Sequence, residues 1–341
     1  MKERFPYIKV LPVTNLLEFP KKIVITTHNK PDGDAMGSSL GLYNYLLEKG
    51  HNVTVITPSD YPDFLFWMPG NEHVIQFPKD VENAKKLIAE ADILFCLDYN
   101  QPDRTDVMAE YIVASKAIKV LIDHHLNPAP FCEHVFSYPL SCATAELIYQ
   151  FIVVMDDKGI INKDIAECLY AGIMADTNSF RFETMTSDTH RIIADLMEAG
   201  AENYKIHENV YDNFSFNRMK MVGYCLFNKL KVVPEYHTAY ISLSKEESKQ
   251  FDSGTGDTEG IVNMALEIKD IRLAAFFYEN EMEVKISLRS KGTFSVKDVA
   301  QSHFEGGGHR NASGGKSNIG MEETIKKFLS ILPAYEKELT K

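Results

Sequence analysis

Several stretches of this chain end in residues that can hold a metal ion. His28-Asn29-Lys30-Pro31-Asp32-Gly33-Asp34 puts one imidazole and two carboxylates on a single short segment. Asp98 follows the apolar run Ile93-Leu94-Phe95-Cys96-Leu97, and Asp123-His124-His125 follows Ala117-Ile118-Lys119-Val120-Leu121-Ile122. Asp176 ends a further apolar stretch, 164–175. Carboxylates suit hard divalent cations, and added imidazole tilts the choice toward Mn²⁺. His28, Asp32, Asp34, Asp98, His124 and Asp176 are enough donors for a two-metal site, with ions about 3.5–4 Å apart. Adjacent histidines after a buried strand point in different directions, so His124 can ligate while His125 faces a substrate.

The elements that position these groups follow from the hydrophobic pattern. Residues 22–27, 91–97 and 117–122 are short, β-branched and apolar, as buried parallel strands are. Ligands in open α/β sheets bind beyond the carboxyl ends of such strands. Charge buried there is costly unless paired or metal-bound. The loop 28–34 is marked by Pro31 and Gly33, with Asp34 placed as the N-cap of a helix over 35–49 that Gly50 ends. The small residues Gly37, Ser38, Ser39 and Gly41 are expected to let that helix pack closely on the sheet. Further strands are expected at 52–57 and 133–138. Helices are expected at 82–90, 105–114, 144–155 (capped by Ser141), 164–175 and 187–199. This alternation describes a doubly wound sheet.

The second half changes character. Residues 227–233, 238–243, 272–278 and 283–288 read as strands, with helices at 259–268, 295–304 and 321–332. The boundaries expected are 1–200 for a catalytic domain, 201–228 for a helical linker and 229–341 for a substrate-binding domain. Gly306-Gly307-Gly308-His309 offers backbone N–H groups to an anion. Arg289 ends a strand and can grip phosphate bidentately. Arg181 is a further substrate-binding candidate.

Several other chemistries are excluded. Met36 and Tyr43 occupy positions where an EF-hand needs oxygen ligands. Gly37-x-Ser39-x-Gly41 falls inside a helix, not at the strand-to-helix turn of a nucleophile elbow. No phosphate-binding loop of the G-x-x-x-x-G-K-[ST] type is present. The net charge of −12 argues against a binder of long duplex nucleic acid. Five scattered cysteines without a C-x-x-C point to reduced thiols in a cytoplasmic protein. Neither a signal-peptide pattern at 1–6 nor a membrane-length apolar run is found.

Taken in order, these motifs resemble the DHH phosphoesterase superfamily in its DHH plus DHHA1 form, most of all the branch of bacterial oligoribonucleases and pAp phosphatases. The resemblance is carried by His28–Ser38, Leu97-Asp98, Asp123-His124-His125, Ala175-Asp176-Thr177 and Gly306–His309 with Ala312-Ser313-Gly314-Gly315. Glu305 stands where the family often has another glycine. The fold implied is α/β: a doubly wound parallel-sheet DHH domain and a smaller DHHA1 domain with a mixed sheet, the cleft between them. The resemblance implies that His28, Asp32 and Asp98 hold one ion and that Asp34, Asp98, His124 and Asp176 hold the other. Asp98 would bridge them, Asp123 would orient a histidine, and His125 would face the scissile phosphate. Arg289, Gly307, Gly308 and His309 would bind the far end of the substrate. The ions implied are Mn²⁺ first, with Mg²⁺ or Co²⁺ as alternatives. The substrates implied are short 5′-phosphorylated oligoribonucleotides and pAp (3′-phosphoadenosine 5′-phosphate), with cyclic or linear dinucleotides, or silent nucleotide binding, as the rival readings. A homodimer is compatible with the sequence.

Overall fold

The computed structural model describes residues 5–252 and 256–340. Met1–Arg4, part of the segment without a signal-peptide pattern, lie outside these. Two compact units divide the chain, one ending at Asn213 and the other beginning at Phe214. Residues 201–228 are therefore shared. Ile206 and Val210 pack into the first core, whereas Met221, Val222 and Cys225 pack into the second.

In the first unit, α1 (Tyr7–Leu16) precedes β1 (Lys22–Thr26), α2 (Gly33–Glu48), β2 (Asn52–Thr57), β3 (Ile75–Gln76), α3 (Val81–Glu90) and β4 (Ile93–Leu97). Then come α4 (Ala109–Ala114), β5 (Ile118–Asp123), β6 (His134–Ser137), α5 (Thr144–Val154), α6 (Lys163–Asp176), α7 (Ser187–Glu198) and α8 (Asn203–Tyr211). The strands form one sheet in the order β3-β2-β1-β4-β5-β6, with every pairing parallel. Alternation along each strand feeds two cores. Ile23, Ile25, Phe95, Leu97, Val120 and Ile122 face one, Val24, Leu94, Cys96 and Leu121 the other. The chain order reverses between β1 and β4, which is where a doubly wound sheet opens a ligand crevice.

Three local readings change. The N-cap of α2 is Asp32, not Asp34, and the helix begins at Gly33. Asp32 Oδ1 accepts from the N–H groups of Asp34 and Ala35, both at 3.0 Å, and so satisfies donors that a cap at Asp34 would leave open. Gly37 and Gly41 serve contact with α6, not with the sheet. A Cβ on Gly37 would lie 2.6 Å from the Cys168 carbonyl oxygen and 2.7 Å from Gly172 Cα. The α5 N-cap is Ala143, because the Ser141 side chain turns away to Glu146.

The second unit contains α9 (Phe216–Tyr224), β7 (Lys231–Val233), β8 (Thr238–Leu243), α10 (Lys245–Lys249) and α11 (Ile261–Leu266). It continues with β9 (Leu273–Glu279), β10 (Val284–Ser290), α12 (Val296–His303), β11 (Gly307–Gly308), β12 (Ala312–Ser317), α13 (Met321–Ile331) and α14 (Glu336–Leu339). Its sheet order is β11-β12-β10-β9-β8-β7, mixed because only β8 and β9 pair in parallel. The strand expected over 227–233 starts later: Cys225–Lys229 is a wide helical turn that continues α9. No helix among the described residues is long and apolar enough to cross a membrane.

Candidate metal centre

The carboxyl ends of β1, β4 and β5 bring the candidate ligands together. His28 leaves β1, and Asp32 and Asp34 open α2. Asp98 leaves β4, and Asp123 is the last residue of β5, with His124 and His125 next. Asp176 arrives on the final residue of α6. Its approach depends on the tight α2–α6 contact. A Cβ on Gly172 would meet Ala145 Cβ at 2.6 Å and Asp34 Oδ1 at 3.2 Å, and one on Gly33 would meet Ala175 Cβ at 2.4 Å.

Asp98 lies at the middle of the cluster. Its Oδ2 is 3.4 Å from His28 Nε2, and its Oδ1 is 3.5 Å from His124 Nε2. His28 Nε2 also lies 3.8 Å from Asp32 Oδ2. His124 Nε2 lies 3.6 Å from Asp176 Oδ2 and 3.8 Å from Asp34 Oδ2. Within each of the groups His28/Asp32/Asp98 and Asp34/His124/Asp176, one donor atom per residue lies within 4.8 Å of the others. These separations exceed good hydrogen bonds. They approach the ~3 Å spacing of donors that surround a cation at about 2.1 Å. Asp98 also has φ of +63°, left-handed backbone that, glycine apart, is adopted mainly by Asn and Asp and is strained for most other residues. Non-glycine strain of this kind clusters at ligand sites.

Hydrogen bonds fix the imidazoles. His28 donates Nδ1–H to the Asn29 carbonyl at 2.9 Å, and His124 donates Nδ1–H to the Ser141 carbonyl at 3.2 Å. Both Nε2 atoms are thereby turned to the carboxylates, as in metal-ligating histidines held by a backbone acceptor. His125 differs: its Nδ1–H donates to Asp123 Oδ1 at 2.7 Å. Asp123 Oδ2 is buried with no hydrogen-bond partner.

The electrostatics also fit a cation. Burial opposes the charged form of His28, yet the Asp32 and Asp98 carboxylates outweigh it and raise its pKa to about 10. Burial likewise opposes charge on His124, and Asp176, Asp98 and Asp123 overcome it, raising that pKa too. Burial, then the neighbouring Asp98, Asp176 and Asp32, push the Asp34 carboxyl well above its ordinary range. Asp98 goes the other way: burial favours its neutral form, but His28, His125 and His124 hold it well below its ordinary value. In metal-free protein, protons therefore take up part of the charge that a cation would neutralise.

Residue reading alone missed Thr144, Ala145 and Gly172. The Thr144 and Ala145 N–H groups donate to Asp34 Oδ2 and Oδ1 at 2.6 and 2.8 Å, and the Thr144 hydroxyl donates to Asp98 Oδ1 at 2.9 Å. One sequence signal existed: Thr144 opens a helix, where first-turn N–H groups seek an acceptor.

Arg181 sits on the exposed turn after α6, its N–H donating to the Thr177 carbonyl at 2.9 Å. In the second unit, Arg289 on β10 is paired with Ala312, and the His309 N–H donates to the Ala312 carbonyl at 2.8 Å, so both adjoin one residue. The glycine run is part of the sheet and not a loose loop: Gly307 pairs with Gly314 and Gly308 with Ser313. A Cβ on Gly306 would fall 2.1 Å from the Gly314 carbonyl oxygen, whereas Gly307 has open space above it.

Comparison with known proteins agrees with this architecture. Residues 22–173 match the N-terminal domain of the DHH family, and residues 235–338 match the DHHA1 domain. The bifunctional oligoribonuclease and PAP phosphatase NrnA of Thermus thermophilus is 28% identical, over 97% of this chain and 94% of that protein. The Bacillus subtilis protein of the same name is 26% identical, over 86% of this chain and 88% of its own length. A crystal structure of an exopolyphosphatase-related protein from Bacteroides fragilis is 41% identical, with a TM-score of 0.95 and 98% of each chain covered. The fold and site define a phosphoesterase with an acidic, imidazole-rich centre suited to divalent metals. This chain belongs to the DHH family, in its two-domain form with DHHA1.

Proposed function

We propose that this protein hydrolyses short 5′-phosphorylated oligoribonucleotides to mononucleotides and pAp to AMP. The observation that carries the reading is Asp98, whose two oxygens face two separate histidine–carboxylate groups. His28, Asp32 and Asp98 would hold one divalent cation, and Asp34, Asp98, His124 and Asp176 the other, with Mn²⁺ favoured by the imidazole donors. Bound there, the ions supply Lewis-acid activation of water and neutralise charge on the phosphoryl oxygens. His125, held through Nδ1 by Asp123, would face the scissile phosphate and, as the imidazolium, give its Nε2 proton to the departing oxygen, so that the leaving group departs as the alcohol and the imidazole is left neutral. Arg289, His309 and the Gly307 and Gly308 amides would take a phosphate that is not attacked, so that short substrates are preferred. Arg181 would add a contact from the first unit. The names of the similar proteins from Thermus and Bacillus support this substrate class.

The test is a panel of 5′-phosphorylated oligoribonucleotides of two to ten residues, pAp, cyclic di-AMP, pyrophosphate and polyphosphate, each with Mn²⁺. The reading expects kcat/KM to be highest for pAp and the shortest oligomers. Preference for cyclic di-AMP or for polyphosphate would overturn the substrate assignment while leaving the metal centre in place.

A further inference from the structure

Glu146 is the one acidic residue of α5, and it is fully buried. Its Oε2 accepts from the Ser141 hydroxyl and from the Cys142 N–H at 3.1 Å, and its Oε1 accepts from the Thr189 hydroxyl at 3.0 Å. The carboxylate thus closes residues 141–146 into a ring. In a capping box, an acid at the third helical position reaches back to the N-cap N–H. Here it reaches one and two residues further back, to Cys142 and Ser141.

This turn meets three ligands. The Ser141 carbonyl receives the His124 Nδ1–H, the Thr144 and Ala145 N–H groups hold both oxygens of Asp34, and the Thr144 hydroxyl holds Asp98. Without Glu146 the Ser141 hydroxyl keeps only the Ala143 carbonyl, 3.1 Å away, and the turn loses its tie to the body of α5, which leaves the Ser141 carbonyl less firmly held against His124. A buried carboxylate is expensive to keep, and an apolar residue would pack there at less cost. The bonds from Ser141, Cys142 and Thr189 each stiffen the turn or tie it to α7.

We propose that Glu146 is a positioning residue for the metal centre: acting through Ser141 and the first turn of α5, it sets the orientation of His124, Asp34 and Asp98. The inference rests on the metal-centre reading above. Partners that hydrogen-bond a metal ligand directly typically change affinity by ~10–100-fold, and Glu146 braces several of them at once. Glu146→Gln can keep the arrangement. Its amide oxygen accepts from Ser141 and Cys142, and its amide N–H donates to Thr189.

The experiment is Mn²⁺ titration of the full-length, metal-stripped chain by calorimetry, with Mn²⁺ electron paramagnetic resonance to report ligand symmetry. Near-ultraviolet circular dichroism establishes that each variant is folded. Glu146→Ala is expected to weaken Mn²⁺ binding about 10–100-fold and to alter the resonance spectrum, while Glu146→Gln stays within about threefold of wild type. Should Glu146→Ala not fold, Ser141→Ala carries the test, since it removes only the hydroxyl and is expected to weaken binding about three- to tenfold. A Glu146→Ala protein, or a Ser141→Ala protein in its place, that folds and binds Mn²⁺ as the wild type does overturns the inference, as does a Gln variant no better than Ala. A wild-type chain that binds no Mn²⁺ overturns the metal reading itself, a result distinct from either of these.

Discussion

Asp98→Asn isolates the shared carboxylate. Asparagine matches aspartate in shape and tolerates left-handed backbone, so the +63° φ at this position is retained. What is lost is one negative charge between two imidazole-bearing groups, with Asp98 oxygens at 3.4 and 3.5 Å from His28 and His124. A charged partner contributes about 1.5–3 kcal/mol. Loss on both sides amounts to about 3–6 kcal/mol, so the doubly loaded protein becomes about 10²–10⁴-fold rarer at limiting metal. Asp98→Ala removes the same charge but adds about 1–2 kcal/mol of left-handed strain, and should melt lower than Asp98→Asn. The assay is metal content by mass spectrometry beside turnover of a 5′-phosphorylated diribonucleotide across a Mn²⁺ series. An Asp98→Asn protein with two ions per chain and wild-type turnover at low Mn²⁺ would refute the bridging role.

Other expectations follow from the same geometry. His125→Ala should lower kcat by about 10²–10⁴-fold with metal content unchanged, because its Nδ1 is engaged by Asp123; loss of metal instead would make it a ligand. His28 has a folded pKa of about 10, above the ordinary 6.5, so its charge stabilises the metal-free fold fully below pH 6.5 and is lost as pH rises toward 10. Metal-stripped protein should therefore melt lower at pH 9.5 than at pH 6.5, and saturating Mn²⁺ should flatten that slope; equal melting points without metal would contradict it. Arg289→Ala should raise KM for a 5′-phosphorylated dinucleotide about ten- to a hundredfold and leave bis-p-nitrophenyl phosphate nearly unchanged; an unchanged ratio of kcat/KM values would make Arg289 structural. Gly37→Ala forces a Cβ to 2.6 Å from the Cys168 carbonyl and should destabilise by about 1–3 kcal/mol or more, read as a drop of several degrees in Tm.

Much of the first unit was legible because its strands are buried on both faces. Continuous runs such as Ile93–Leu97 announce themselves, and the polar residues at their ends stand out. That is why His28, Asp98 and Asp123–His125 could be named together. What depends on contact between distant elements was not legible. Gly37 reads as a small helix residue, and only the fold shows that it meets Gly172 some 135 positions later. Asp34 reads as a cap of its own helix, yet its carboxylate serves the N-terminus of α5. Phe227–Lys229 reads as the start of a strand because its apolar pattern is short, and short runs do not separate the two periods; it belongs instead to the wide helical turn Cys225–Lys229. The two-residue β3 is held by pairing with β2 alone and left no pattern to find.

The central claim is a phosphoesterase centre that works only when its carboxylates and imidazoles hold two cations. The most direct test titrates Mn²⁺ into metal-stripped protein and follows ions bound per chain together with mononucleotide release from a 5′-phosphorylated diribonucleotide. The account predicts no release without metal and a rise that tracks occupation of the second site. Release by the metal-free protein, or none with two ions bound, would contradict it.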